Sequence, residues 1–209
     1  MAYSKFTIKS VKERLGVQII EEAPLFDATQ IVPVVPSEHL KTTLSEYSSL
    51  ALAINTEKSR SEWIIAPVMA EVRKQHRTQV SLFSGTTFVV DKSKGLDGSC
   101  DFILSLTQEQ FYIAAPLLAI VEAKKEDIIG GIGQCVATMF AAQLYNEREK
   151  NPLPAIYGAI TTGTNWKFLK LIGSTAWVDR DEYYLNEIET LMGIFSLIIA
   201  LGNQAQVTV

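Results

Sequence analysis

The sequence is poor in the residues on which disulfide-stapled domains and zinc sites depend. Two cysteines and two histidines occur in 209 residues, too few for a disulfide framework and without the Cys/His spacing of a zinc site. With His39 and His76 the only imidazoles, a Ser- or Cys-based triad has little support, and no Gly-x-Ser-x-Gly elbow occurs. Excess positive charge is also absent. Lys and Arg number 19 against 23 Asp and Glu, a formal net charge of −4, so no global basic field draws in a polyanion. Basic residues gather locally instead, at Arg73-Lys74-Gln75-His76-Arg77 and at Lys92, Lys94, Lys124 and Lys125. No run reaches the roughly 20 apolar residues of a membrane span, because Leu117–Val121 and Leu191–Leu201 are bounded by charges or turn residues. The first residues lack the basic-then-apolar pattern of a signal peptide. These absences predict a soluble, cytoplasmic protein with no membrane partner.

What is present is an ordinary globular composition, 47% apolar and 20% charged, in a chain long enough for one full hydrophobic core. Residues 1–58 read as an N-terminal extension packed on that core. Pro24, Pro33 and Pro36 break any long helix there, and Ser37 caps a helix through Ile54 with Leu40, Leu44, Tyr47, Leu50 and Ala51 at helical spacing. Residues 59–209 read as one α/β domain. Its first helix starts at the capping box Ser59-Arg60-Ser61-Glu62 and meets a kink at Pro67.

Strands are predicted at Val80–Val90, interrupted near Gly85, and at Cys100–Leu106 and Leu117–Lys124. A helix follows over Ile128–Tyr145, its early glycines suited to close packing on a sheet. Strands at Ala155–Thr161 and Trp166–Ile172 flank a hairpin loop, Thr162-Gly163-Thr164-Asn165. The closing helix is read as capped by Asp179 and Glu182, with an apolar stripe of Leu185, Ile188, Met192, Phe195 and Ile199. Gly130-Gly131-Ile132-Gly133 imitates a phosphate loop, but no Gly-Lys-Ser/Thr follows it.

The chemistry concentrates at the ends of two strands. If Pro116 marks where the second begins, an antiparallel register that sets Leu106 opposite Leu117 also sets Ser105 opposite Leu118, Ile103 opposite Ile120 and Asp101 opposite Glu122. Lys124, two residues on, projects from the same face as Glu122. Opposed carboxylates with Cβ atoms roughly 4.5–5.5 Å apart destabilise the sheet unless something compensates. A cation does so, and oxygen donors without nearby His or clustered Cys suit Mg²⁺ or Mn²⁺. The plainer alternative is two half-exposed strand ends, and for Glu62 a simple helix cap.

The segments Gly95-Leu96-Asp97-Gly98-Ser99-Cys100-Asp101-Phe102 and Ile120-Val121-Glu122-Ala123-Lys124, followed by Gln134, resemble the PD-(D/E)xK nuclease superfamily over roughly Ser59 to Ile172. The chain is also similar to the N-terminal nuclease domains of type I restriction subunits and their stand-alone relatives. Cys100 stands where the family name has its proline. The resemblance implies a restriction-endonuclease-like αβββαβ core, a mixed central sheet flanked by helices, in a Mg²⁺-dependent endodeoxyribonuclease. It implies that Asp101 and Glu122, with the carbonyl of Ala123, bind the ion, and that Glu62 joins them directly or through water. Lys124 then positions the attacking water and stabilises charge on the phosphate, while Gln134 orients groups around that water. DNA is the partner implied, with a homodimer as a further expectation. Two alternatives stay open: an interaction or assembly subunit that keeps the fold without efficient catalysis, and a metal-dependent hydrolase of another phosphate substrate.

Overall fold

In the computed structural model, which describes residues 2–21 and 23–207, eight strands form one sheet. In chain order they are β1 (Gln18–Ile20), β2 (Ser81–Asp91), β3 (Leu96–Ser105), β4 (Leu117–Ala123), β5 (Ile156–Thr161), β6 (Asn165–Ile172), β7 (Thr175–Val178) and β8 (Tyr183–Tyr184). The helices are α1 (Ile8–Leu15), α2 (Glu38–Ile54), α3 (Glu57–Arg60), α4 (Ala66–Gln75), α5 (Ile128–Arg148) and α6 (Ile188–Val207). The sheet order is β1-β7-β6-β5-β4-β3-β2, with β8 beside β6. The β4–β5 and β1–β7 pairs are parallel and the others antiparallel. The protein is therefore mixed α/β, with a mixed sheet flanked by helices.

Every residue of β4 is buried. That explains why it reads as an unbroken apolar run instead of an alternating one, since a strand covered on both faces has no side for water. On one face Phe102, Val121 and Phe168 pack with Met69 of α4 and Phe195 of α6. On the other, Ile103, Ile120 and Ile160 pack with Val136 and Met139 of α5 and with Phe6. The N-terminal 58 residues are woven into both layers: β1 extends the sheet beside β7, and Tyr3, Val11 and Leu40 are fully or almost fully buried.

α5 is tied to β4 at both ends. Asn146 bonds both ways to the Leu117 backbone, accepting from its N–H at 2.7 Å and donating to its carbonyl at 2.8 Å. Near its other end α5 has no room for side chains at two glycines. A Cβ at Gly131 would stand 2.9 Å from Ile160 Cγ2, and one at Gly133 would lie 2.6 Å from the Phe6 carbonyl oxygen. The glycine run therefore serves close packing, as the sequence suggests, although the tighter contact is with the N-terminal segment and not with the sheet.

Several expectations need correction. The helix before β2 begins earlier, with a capping box formed by Thr56 and Ser59, so Glu62 is not a cap partner. Ser61–Ile65 forms a π-helical turn, in which the Ala66 N–H reaches back to Ser61. Pro67 lies at the start of α4 with no N–H to donate, and this wider turn absorbs the break in the hydrogen-bond ladder. The closing helix starts at Ile188. Asp179 is not its cap but a buried acceptor for the N–H groups of Leu25 and Asp181 and for the Tyr183 hydroxyl. β1, β7 and β8 were not legible, being only two to four residues long.

The expectation that no segment suits a membrane also changes. Ile128–Arg148 and Leu185–Val207 are long and apolar enough to cross one by length and composition. Both also supply core side chains to the sheet, and core helices pass the same test.

Candidate functional site

The register between β3 and β4 decides which polar groups meet. Leu104 pairs with Ala119, Ile103 with Ile120 and Phe102 with Val121, and one residue further this register sets Asp101 against Glu122. The match fails nearer Pro116, where Ser105 pairs with Leu117 and not with Leu118. Leu118 is an extra residue, a bulge that shifts the ladder by one on the side away from the carboxylates.

Glu122 is fully buried and faces α5. Its Oε2 accepts a 2.6 Å hydrogen bond from Gln134 Nε2, and its Oε1 accepts one of 3.3 Å from Thr138 Oγ1. Gln134 uses its other end to accept from Lys124 Nζ at 3.0 Å. One amide side chain thus couples the carboxylate and the ammonium of the Glu-Ala-Lys segment. Burial first, and then the charge of Asp101, push the Glu122 carboxyl well above the usual carboxylate range, while Lys124 and the Thr138 hydrogen bond pull it back. The stem of Lys124 lies where a side chain on Gly131 would otherwise stand.

Asp101 belongs to two neighbourhoods. Its Oδ2 accepts a 2.8 Å hydrogen bond from the Ala123 N–H, and its charge also bears on the Glu122 carboxyl. On its open side Asp101 lines a cleft of about 360 Å³ with Ala123, Ser84, Gly85, Ser61 and Glu62. β2 runs without interruption through Gly85, contrary to the expected break, and its register shifts between Val89 and Asp91 instead; Gly85, at φ +62, leaves the space beside Asp101 free of a side chain.

Of the predicted site residues, Asp101, Glu122, Lys124 and Gln134 are joined in one network through Ala123 and Gln134. Glu62 faces the same cleft as Asp101 and Ala123, but it is ion-paired with Lys58 at 2.8 Å. Glu122 stands behind Asp101 and does not line the cleft. Among the described residues no group of three or more His, Cys, Asp or Glu side chains is gathered closely enough to hold a metal ion. The oxygen donors at hand are therefore two adjoining carboxyl groups and a backbone carbonyl.

Thr138 escaped the sequence reading. It lies one helical turn beyond Gln134, on the same face of α5, and that spacing was the available signal. Arg60 also went unnoticed: its guanidinium donates to the Thr162 carbonyl at 2.8 Å and to Asn55 Oδ1, holding α3 against the β5–β6 hairpin. Nothing in the local sequence marks that contact across the fold. Neither a protein-family model nor a curated protein sequence matches the chain.

Proposed function

We propose that the chain is a Mg²⁺- or Mn²⁺-dependent nuclease of the PD-(D/E)xK type that hydrolyses phosphodiester bonds in DNA. The element order α3–α4, β2, β3, β4, α5, β5 supports a restriction-endonuclease-like αβββαβ core, with α5 as the crossover between parallel β4 and β5. The observation that carries the reading is the hydrogen-bonded chain from Glu122 through Gln134 to Lys124, with Asp101 beside it. A simple pair of strand ends would need no half-buried amide to hold an acid and a base two residues apart.

The donor set fits a hard divalent ion. Mg²⁺ is commonly held by one or two protein carboxylates, with water and substrate phosphate completing its shell. Asp101, Glu122 behind it and the Ala123 carbonyl would hold it, and Glu62 borders the cleft that Asp101 and Ala123 line. The charge of Asp101 raises the proton affinity of Glu122, a repulsion that a cation relieves. When bound, such an ion supplies electrostatic stabilisation of the phosphate and makes water a better nucleophile at neutral pH. Lys124 contributes a fixed positive charge for the phosphate oxygens, and Gln134 keeps that ammonium and the Glu122 carboxyl in a set relation.

The complete burial of Glu122 favours a second reading, an interaction or assembly subunit that keeps the fold without efficient catalysis. Incubating the protein with supercoiled plasmid and with single-stranded circular DNA, in Mg²⁺, Mn²⁺ or chelator, separates the two. Metal-dependent nicking or linearisation supports the nuclease. Intact DNA under every condition gives the lead to the assembly subunit.

A further inference from the structure

We infer that the groove between α2 and the β8 segment is a base-binding subsite that takes an unpaired nucleobase of a nucleic-acid strand lying across the candidate site; this rests on the nuclease reading above. Three concavities follow one another along the edge where β4 and β5 end. The Asp101 cleft is walled by residues of α3 and the π turn and by Ala123. Next comes a recess of about 220 Å³ walled by Arg60 of α3, by Lys125 and Glu126, and by Thr162, Thr164 and Asn165 of the hairpin. Thr164 and Asn165 are also walls of the third, a groove of about 560 Å³.

The chemistry changes along this track. The recess carries the cations Arg60 and Lys125, with Glu126 as counter-charge to Lys125 at 3.6 Å. The groove beyond is mainly apolar, walled by Leu44, Tyr184, Leu185 and Ile188, and it carries short hydroxyl and amide side chains, among them Ser45, Asn165 and Asn186. Its volume lies within the range of small-ligand sites. A flat ring that is apolar on its faces and polar at its edge fits such walls, and Tyr184, 44% exposed, offers an aromatic face for stacking. Ser48 adds a buried hydroxyl with no hydrogen-bond partner in the wall of α2. The order of the three, an acidic cleft, a cationic recess and an apolar groove, suits a strand whose phosphate lies next to its base.

The test is fluorescence anisotropy with a labelled single-stranded oligothymidylate and with the same strand carrying abasic sites, both in chelator so that neither is cut. The protein is expected to bind the base-bearing strand about tenfold more tightly than the abasic one. Leu44→Trp fills the groove and Tyr184→Ala removes its ring; each is expected to abolish that preference while keeping the parent's melting temperature within a few degrees. Equal affinity of the parent for the two strands, including no measurable binding of either, overturns the subsite, as does an undiminished preference in a folded variant. Plasmid cleavage by the unaltered protein is scored separately. A parent that cuts duplex DNA without preferring bases refutes the groove alone, and one that prefers bases but never cuts refutes the nuclease alone.

Discussion

Asp101 Oδ2 accepts a 2.8 Å hydrogen bond from the Ala123 N–H, the backbone group between Glu122 and Lys124. The β3–β4 ladder ends at Phe102 and Val121, so this side chain takes over where the ladder stops. It fixes the Glu-Ala-Lys backbone against β3. Asp101→Asn keeps an acceptor there and is expected to fold with nearly parental stability. Asp101→Ala leaves the Ala123 N–H without that partner and is expected to lose about 1 kcal/mol. Urea unfolding of both variants checks the difference; equal stabilities would remove the structural role. Asn is therefore the cleaner substitution for functional work.

Lys124→Ala removes the ammonium without touching either carboxyl group. Cleavage of DNA is expected to slow by about 100-fold or more, with the fold and ion binding retained. Single-turnover rates measured at saturating Mg²⁺ report the effect. An unchanged rate would make Lys124 a surface charge at a strand end.

Glu122 gives the protein a pH signature. Its carboxyl is raised well above the ordinary value of 4.5, chiefly by burial. Between that value and the raised one, the folded chain holds a proton that the unfolded chain has released, so stability falls as pH rises through this window. Glu122→Gln has no such proton. In chelator it is expected to match the parent near the ordinary carboxylate value and to exceed it at about pH 8. The gap appears in melting temperature at roughly 2–4 °C per kcal/mol for a chain of this size. Parallel melting curves for the two proteins across pH would show that Glu122 is ionised in the fold without penalty.

Gly133 tests the packing that positions Gln134. A Cβ there would overlap the Phe6 and Thr7 backbone, which cannot yield as the tip of a side chain can. Gly133→Ala is expected to cost roughly 1–3 kcal/mol and to weaken cleavage, whereas Gly173→Ala, where a Cβ meets nothing but φ is +56, disturbs only its own turn. Chemical denaturation midpoints of the two variants make the comparison. Equal small losses at both positions would contradict the close approach.

The long elements were legible because their signals are local. The apolar run of β4, the Ser37 cap of α2 and the hairpin between β5 and β6 each lie within one short segment. The Asp101–Glu122 register was legible from strand parity, although its proline anchor was displaced by the Leu118 bulge. What stayed hidden depends on contacts across the fold. β1 exists because it pairs with β7, far along the chain. The burial of Glu122 follows from α5 lying over it, and Glu62 borders the cleft from within the π turn because the helix starts earlier, behind Thr56. No window of sequence contains those arrangements.

The central claim is that Asp101 and Glu122 serve one divalent ion beside a lysine that does not bind it. Calorimetric titration with Mn²⁺ tests this most directly. The account predicts one ion bound by the parent, retained in Lys124→Ala, and lost in both Asp101→Asn and Glu122→Gln while those two variants remain folded. Parental binding in Asp101→Asn or Glu122→Gln, or no binding by the parent at all, would contradict it.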